Sequence, residues 1–176
     1  MAASVVIIMG SNSDSEKMLP AIEVFRKLSI DYAIRIASAH RTPEYLDEVV
    51  REMEKAGCKV FICAAGMAAH LAGAVAAKTI KPVIGVPLTS KASPLSGMDA
   101  LLSTVQMPSG MPVATVAIDG AKNAAWLAAQ ILAIKDRDLA DNILLERKYS
   151  EIKVWDEDKE LQKKLAEIRP KGGKHE

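Results

Sequence analysis

A chain of 176 residues, 49% apolar and 26% charged, is long enough to bury a substantial core as a single domain spanning 1–176. Its formal net charge of +1 leaves no electrostatic footprint for nucleic acid or an acidic membrane face. No apolar run approaches the roughly 18 residues of a membrane span, and the opening MAASVVIIMGSNSD lacks a basic segment ahead of an export-type apolar stretch, which predicts a cytoplasmic protein.

Ser4 to Met9 is an almost unbroken apolar run ended by Gly10, the pattern of a strand covered on both faces. GSNSD (Gly10 to Asp14) then offers a turn and several N-caps, ahead of a helical stretch with Met18, Ile22 and Phe25 at i, i+4, i+7. Asp31 to Ala37 reads as a second strand. SAHRTP (Ser38 to Pro43) follows, and then a helix with Leu46, Val49, Val50 and Met53 on one face, Thr42 as N-cap and Pro43 in the first turn. Lys59 to Cys63 is a third strand, followed by a Gly- and Ala-rich segment through His70 to Lys78. Pro82 to Val86 is a fourth, and a long Pro-, Ser- and Gly-rich connection from Pro87 to Pro112 separates it from a fifth at Pro112 to Ile118. A helix over Ala121 to Ala133 closes the core. After about Ile134 the chain turns charged, with helix-like stretches at Leu139 to Arg147 and Lys159 to Ile168, and the final RPKGGKHE reads as frayed.

Strands alternating with helices imply right-handed crossovers and a parallel sheet covered on both faces. The expected fold is a three-layer α/β/α, doubly wound parallel sheet of flavodoxin-like or Rossmann-like type, with a core over about 4–134 and a charged helical tail over about 136–170. Charge favours a solvated tail; packing on a neighbouring subunit is the other reading. Cys58 and Cys63 share one strand-like stretch, which holds them too far apart for a disulfide and fits reduced core thiols.

In such a sheet, ligands bind beyond the carboxyl ends of the strands. Four segments land there: GSNSD, SAHRTP, AAGMAAHLAG (Ala64 to Gly73) and the long connection. GSNSD supplies a Gly turn and free helix-start amides suited to an anion, hydroxyls from Ser11 and Ser13, and an acceptor in Asp14; it reads equally well as a plain turn and cap. His40 and Arg41 pair a side chain that titrates near neutrality with a fixed cation. His70, among small residues, reads on its own as a buried structural histidine. The chain has no GxxxxGK[ST] loop, no GxGxxG after the first strand, no HExxH and no GxSxG elbow. With three histidines, one of them the terminal His175, a His-built metal site is not expected, and acid-base chemistry on an anionic substrate is what remains.

These segments resemble the N5-carboxyaminoimidazole ribonucleotide mutase family (PurE, class I type). The resemblance runs from about Val5 to Leu132. It comprises MGS-x-SD at Met9 to Asp14, SAHRTP at Ser38 to Pro43 and AAHL-x-G at Ala68 to Gly73. Beyond them come GVP at Gly85 to Pro87, LSG-x-D at Leu95 to Asp99, S-x-VQMP-x-G at Ser103 to Gly110, and KNAA-x-LAAQIL from Lys122. The resemblance implies an isomerase of purine biosynthesis with no cofactor and no metal, a ribonucleotide substrate, and a homo-octamer with sites at subunit contacts. It implies His40 as the general acid-base residue and Ser11, Asp14 and Arg41 as the substrate-binding set. Ser38, Gly66, Ala69, His70 and Leu71 are implied as walls of the same pocket. Its nearest rivals are an aminoimidazole ribonucleotide carboxylase using free carbon dioxide and a carboxylating paralogue acting on another heterocycle. Arg41 and His70 favour the mutase. Many members read GAGGAAHLPG where this chain has Met67 and Ala72, a departure that bears on pocket shape.

Overall fold

Strand β1 (Val5–Met9) shows how the chain builds its core. Val5, Ile7 and Met9 belong to one apolar cluster and Val6 and Ile8 to another, the two-residue period of a strand covered on both faces. The computed structural model describes residues 3–168; the expectation for RPKGGKHE, with His175, lies outside them. Strand β1 pairs in parallel with β2 (Tyr32–Ile36) and β3 (Val60–Gly66). Strand β3 pairs with β4 (Val83–Leu88), and β4 with β5 (Ala114–Thr115), giving the order β2-β1-β3-β4-β5. The expected doubly wound parallel sheet is the fold observed.

Helices α1 (Ser15–Lys27) and α5 (Ala121–Ala133) cover one face, while α2 (Pro43–Lys55) and α3 (Leu71–Ala76) cover the other. Along α2 the expected stripe of Leu46, Val49, Val50 and Met53 is buried. Along α1 the buried residues are Met18, Ala21, Val24 and Phe25, and Ile22 is only half-buried. The stripe centres on Ala21 because α1 packs closely against α5, whose buried residues are all alanines: Ala121, Ala124, Ala125, Ala128 and Ala129.

Several elements differ in extent from the sequence reading. Strands β3 and β4 continue to Gly66 and Leu88, two or three residues further toward their carboxyl ends. Strand β5 is only two residues long, since Pro112 has no amide to donate and Gly110, at φ +91°, turns the chain just before it. The connection after β4 contains a helix, α4 (Met98–Val105), entered through Gly97 at φ +85°. It buries only Ala100 and Thr104, while its apolar residues Met98, Leu102 and Val105 are exposed, away from the chain's own core. The two helix-like stretches of the tail are one continuous helix, α6 (Arg137–Ile168). Its start is capped by Asp136 Oδ1, which accepts from the Leu139 amide at 3.0 Å. Only Leu139 and Ile143 reach the core, and Glu146 pairs with Lys27 of α1.

Both cysteines are free and buried. Burial pushes the Cys58 thiol up to about 11 and the Cys63 thiol further still, so neither forms a thiolate near neutrality. Among the described residues no helix is long and apolar enough to cross a membrane.

Gly85 marks where β4 meets α4 most closely. A Cβ there would sit 2.4 Å from Thr104 Cγ2 and 2.9 Å from Val113 Cγ1. Gly85→Ala therefore overpacks this contact and costs about 1–3 kcal/mol. Thermal unfolding checks this: the midpoint falls in the variant, and an unchanged midpoint contradicts the packing described.

Candidate active site

The strand order reverses at β1. The chain leaves β1 toward α1 on one face and leaves β3 toward α3 on the other, so a crevice opens between their carboxyl ends. A cavity of about 360 Å³ occupies that crevice. The segments after β1, β2 and β3 line it, and Ser90 after β4 completes it.

The segment after β1 is rigid for local reasons. Ser11 caps a 3-10 turn over Asn12–Asp14, accepting from the Ser13 amide at 3.3 Å, while Asp14 Oδ2 accepts from the Ser11 amide at 3.1 Å. This reciprocal capping box fixes both side chains at the cavity edge. Partial burial pushes the Asp14 carboxyl above its ordinary value, against the opposing pull of the Ser11 amide, the Ser13 hydroxyl and the charges of Lys17 and Arg41.

The segment after β2 is held by Thr42. Its hydroxyl accepts from the Ser38 amide at 2.9 Å and donates to the Ser38 carbonyl at 3.2 Å. Thr42 thus occupies the N-cap position of α2, but its side chain closes the loop instead of capping the helix. Within that loop the Arg41 amide donates to Ser38 Oγ at 3.2 Å, and Arg41 Nη2 donates to the Gly10 carbonyl at 2.7 Å. The guanidinium therefore bridges the segments after β1 and β2 across the cavity mouth.

The segment after β3 brings His70 to the same place. Its Nδ1 lies 2.9 Å from His40 Nε2, with the rings edge to face at 5.0 Å between centroids. One nitrogen of this contact donates and the other accepts, so each ring constrains the tautomer of the other. Both side chains are exposed to the cavity rather than buried. His70 is therefore not a buried structural histidine. Gly66 sits where space is tight, since a Cβ would meet the Leu88 carbonyl at 3.1 Å and Ser90 Cβ at 3.4 Å. Met67 follows in the left-handed region at φ +56° and is largely exposed at the cavity. That conformation is costly for a residue with a Cβ.

Of the residues expected at the site, Ser11, Asp14, Ser38, His40, Arg41, Gly66, His70 and Leu71 line the cavity. Ala69 does not: it is buried behind the wall, and its carbonyl accepts from Thr104 Oγ1 at 3.4 Å. Ser90 lines the cavity without having been assigned to it from the sequence, and Met67, expected to bear on pocket shape, lines it too. The one signal for Ser90 is its place two residues beyond β4. Among the described residues no three His, Cys, Asp or Glu side chains cluster as metal donors would.

An Asp14→Asn variant tests the electrostatics. A raised carboxyl favours the folded state below its unfolded value of 3.8, and that contribution is lost as pH rises through the folded value. The variant therefore melts higher than the parent near neutrality, and the gap closes in acid, where Asp14 is protonated. A gap that is constant with pH contradicts this.

The protein-family model described as AIR carboxylase matches residues 4–152. The N5-carboxyaminoimidazole ribonucleotide mutase of Saccharolobus solfataricus is 56% identical over 147 residues, covering 84% of this chain and 90% of that protein. The mutase of Bacillus subtilis is 54% identical over 142 residues, covering 80% and 86%. A solved structure of Treponema denticola PurE superposes with a TM-score of 0.81 at 34% identity, covering 89% and 97%. A family model matched over most of the chain, identity at this level to the curated relatives and a closely superposing solved structure have one reading: this protein belongs to the AIR carboxylase family.

Proposed function

We propose that this protein is an N5-carboxyaminoimidazole ribonucleotide mutase, an isomerase that moves a carboxyl group from the exocyclic nitrogen to ring carbon C4. The relatives named for that reaction, at 46–56% identity, support the reading. The observation that carries it for this chain is one cavity holding the His40–His70 contact beside Arg41 and Asp14.

The chemistry asks for one proton in and one proton out. Breaking the N–C bond of the carbamate releases carbon dioxide and needs a proton on nitrogen. Attack by C4 on that carbon dioxide forms the C–C bond and must shed the proton on C4. The balance is zero, so one histidine serves both steps: His40 delivers its proton to nitrogen and, once neutral, takes the C4 proton. His70 engages Nε2 of His40, which leaves Nδ1 as the nitrogen for this exchange. Arg41, held by the Gly10 carbonyl, supplies the fixed charge for anionic groups, and the hydroxyls of Ser11 and Ser13 suit the phosphate. Asp14 accepts from sugar hydroxyls. Carbon dioxide kept in the crevice meets C4 at high effective concentration, which lowers the barrier without any cofactor-borne step.

The same reading makes the protein a cytoplasmic homo-octamer. In support, α6 exposes Leu145, Tyr149 and Ile152, then Val154, Leu161 and Leu165, far from its own core, and α4 exposes Met98, Leu102 and Val105. Apolar stripes of this kind mark surfaces covered in an assembly. Charge substitution at Tyr149 and Ile152 is expected to reduce the particle mass seen by light scattering; an unchanged octamer removes α6 from the interface.

The test of function offers the carbamate without ATP or metal, in parallel with aminoimidazole ribonucleotide plus bicarbonate. Rapid C4 carboxylation from the carbamate alone, reduced at least about a hundredfold in His40→Asn, is the expected outcome. Efficient use of the unmodified ribonucleotide instead makes the protein a carboxylase, and turnover of neither rejects both.

A further inference from the structure

The segment after β4 leaves the sheet at Thr89, passes Ser90 at the cavity, and returns to Gly97 at the start of α4. Its two ends meet. A Cβ on Gly97 would stand 2.7 Å from Ile118 Cγ2 and 3.3 Å from Thr89 Cγ2, so the return strand of the loop passes against its own departure point. Compact loops with closed ends of this kind hold their shape through whatever pins the neck.

Here the pin is a group of three side chains from three separate elements. Asp119 Oδ1 accepts from the Thr89 amide at 3.0 Å, and Asp119 Oδ2 accepts from the Thr89 hydroxyl at 2.6 Å. Lys17, on α1, donates to the Thr89 carbonyl at 2.7 Å, bonds the Thr89 hydroxyl, and pairs with Asp119 at 3.1 Å. Every polar group of Thr89 is thus taken. The Asp119 amide in turn donates to the Pro87 carbonyl at 2.9 Å, and Asp119 sits at φ +54°, a conformation sparsely used by residues with a Cβ. Strain kept at one residue of a hydrogen-bonded cluster points to a position that the surroundings over-determine.

What the neck fixes is Ser90. The next residue along from Thr89, it packs against the end of β3, its Cβ 3.4 Å from where a Cβ on Gly66 would stand. Ser90 is therefore trapped between the end of β3 and the pinned neck, and it faces the cavity. Lys17 also lies one helical turn beyond Asp14 and acts on its charge, so the same cation ties the β4 loop to the cavity's acidic edge.

We propose that Lys17, Thr89 and Asp119 form a positioning clamp that sets Ser90 in the wall of the substrate cavity. The inference rests on the reading of that cavity as the substrate site. None of the three clamp residues lines the cavity itself; they act through Ser90.

The experiment measures kcat and KM on the carbamate for the parent, Asp119→Ala, Lys17→Met, Lys17→Arg, Ser90→Ala and the Asp119→Ala/Ser90→Ala double variant. Amide hydrogen exchange over residues 89–97 is followed in the same proteins. Asp119→Ala and Lys17→Met are each expected to lower kcat/KM roughly tenfold, as loss of a charge-assisted hydrogen bond does. Lys17→Arg restores most of the loss. The double variant is expected to be no worse than Ser90→Ala alone, since the clamp has nothing left to position. Exchange over 89–97 accelerates in Asp119→Ala and stays as in the parent in Ser90→Ala. Losses that multiply in the double variant, or an Asp119→Ala enzyme within twofold of the parent, overturn the proposal. A parent that does not turn over the carbamate rejects the proposed function instead, and the exchange data then decide the clamp alone: protection unchanged in Asp119→Ala overturns it.

Discussion

Everything at this site follows from the reversal of strand order at β1. With β2 on one side and β3 on the other, the chain must leave adjacent strand ends toward opposite faces of the sheet. No helix can then cover the gap between the two exits, and a crevice is left there for a ligand. The apolar side chains of β1, β3 and β4, sorted by alternation into two cores, hold that gap open at no cost to packing elsewhere.

The cavity is made precise by polar contacts that cross from one loop to another. Arg41 reaches the Gly10 carbonyl, His70 reaches His40, and Gly66 allows Ser90 to close in from β4. None of these belongs to a single motif. Each ties a segment after one strand to a segment after another, so the geometry of the reactive groups depends on the sheet register as much as on the loops themselves. That dependence suits the mechanism proposed here, in which one histidine would give and then take the proton, because a ring that drifted between steps would lose one of its two targets.

Much of this was legible in the residues. The unbroken apolar run of Val5–Met9, the one-sided stripe of α2 and the alanine-rich α5 identify their elements directly. The segments GSNSD and SAHRTP each follow a strand directly, which places them at the carboxyl edge of a parallel sheet, where ligands bind. Other features depend on tertiary contacts and leave little trace in local sequence. Helix α4 lies inside a Pro-, Ser- and Gly-rich connection and turns Met98, Leu102 and Val105 away from the core, and α6 is continuous although the apolar positions of its outer part face no core of its own. His70 among small residues reads as a packing histidine until β1, β2 and β3 are placed side by side and its ring meets that of His40. Thr42 looks like a helix cap because its position is right, yet the Ser38 backbone competes successfully for its hydroxyl. Ser90 has no sequence signal beyond its distance from the end of β4.

On the proposed mechanism, one crevice at the strand reversal carries both halves of the carboxyl transfer. A single turnover of substrate labelled in its carbamate carbon, run in unlabelled bicarbonate with carbonic anhydrase present, tests it directly. Carbon dioxide held between His40 and the ring gives a C4-carboxylated product that keeps the label. A product that takes its carboxyl from the unlabelled pool means that the crevice does not retain the gas, and contradicts the account.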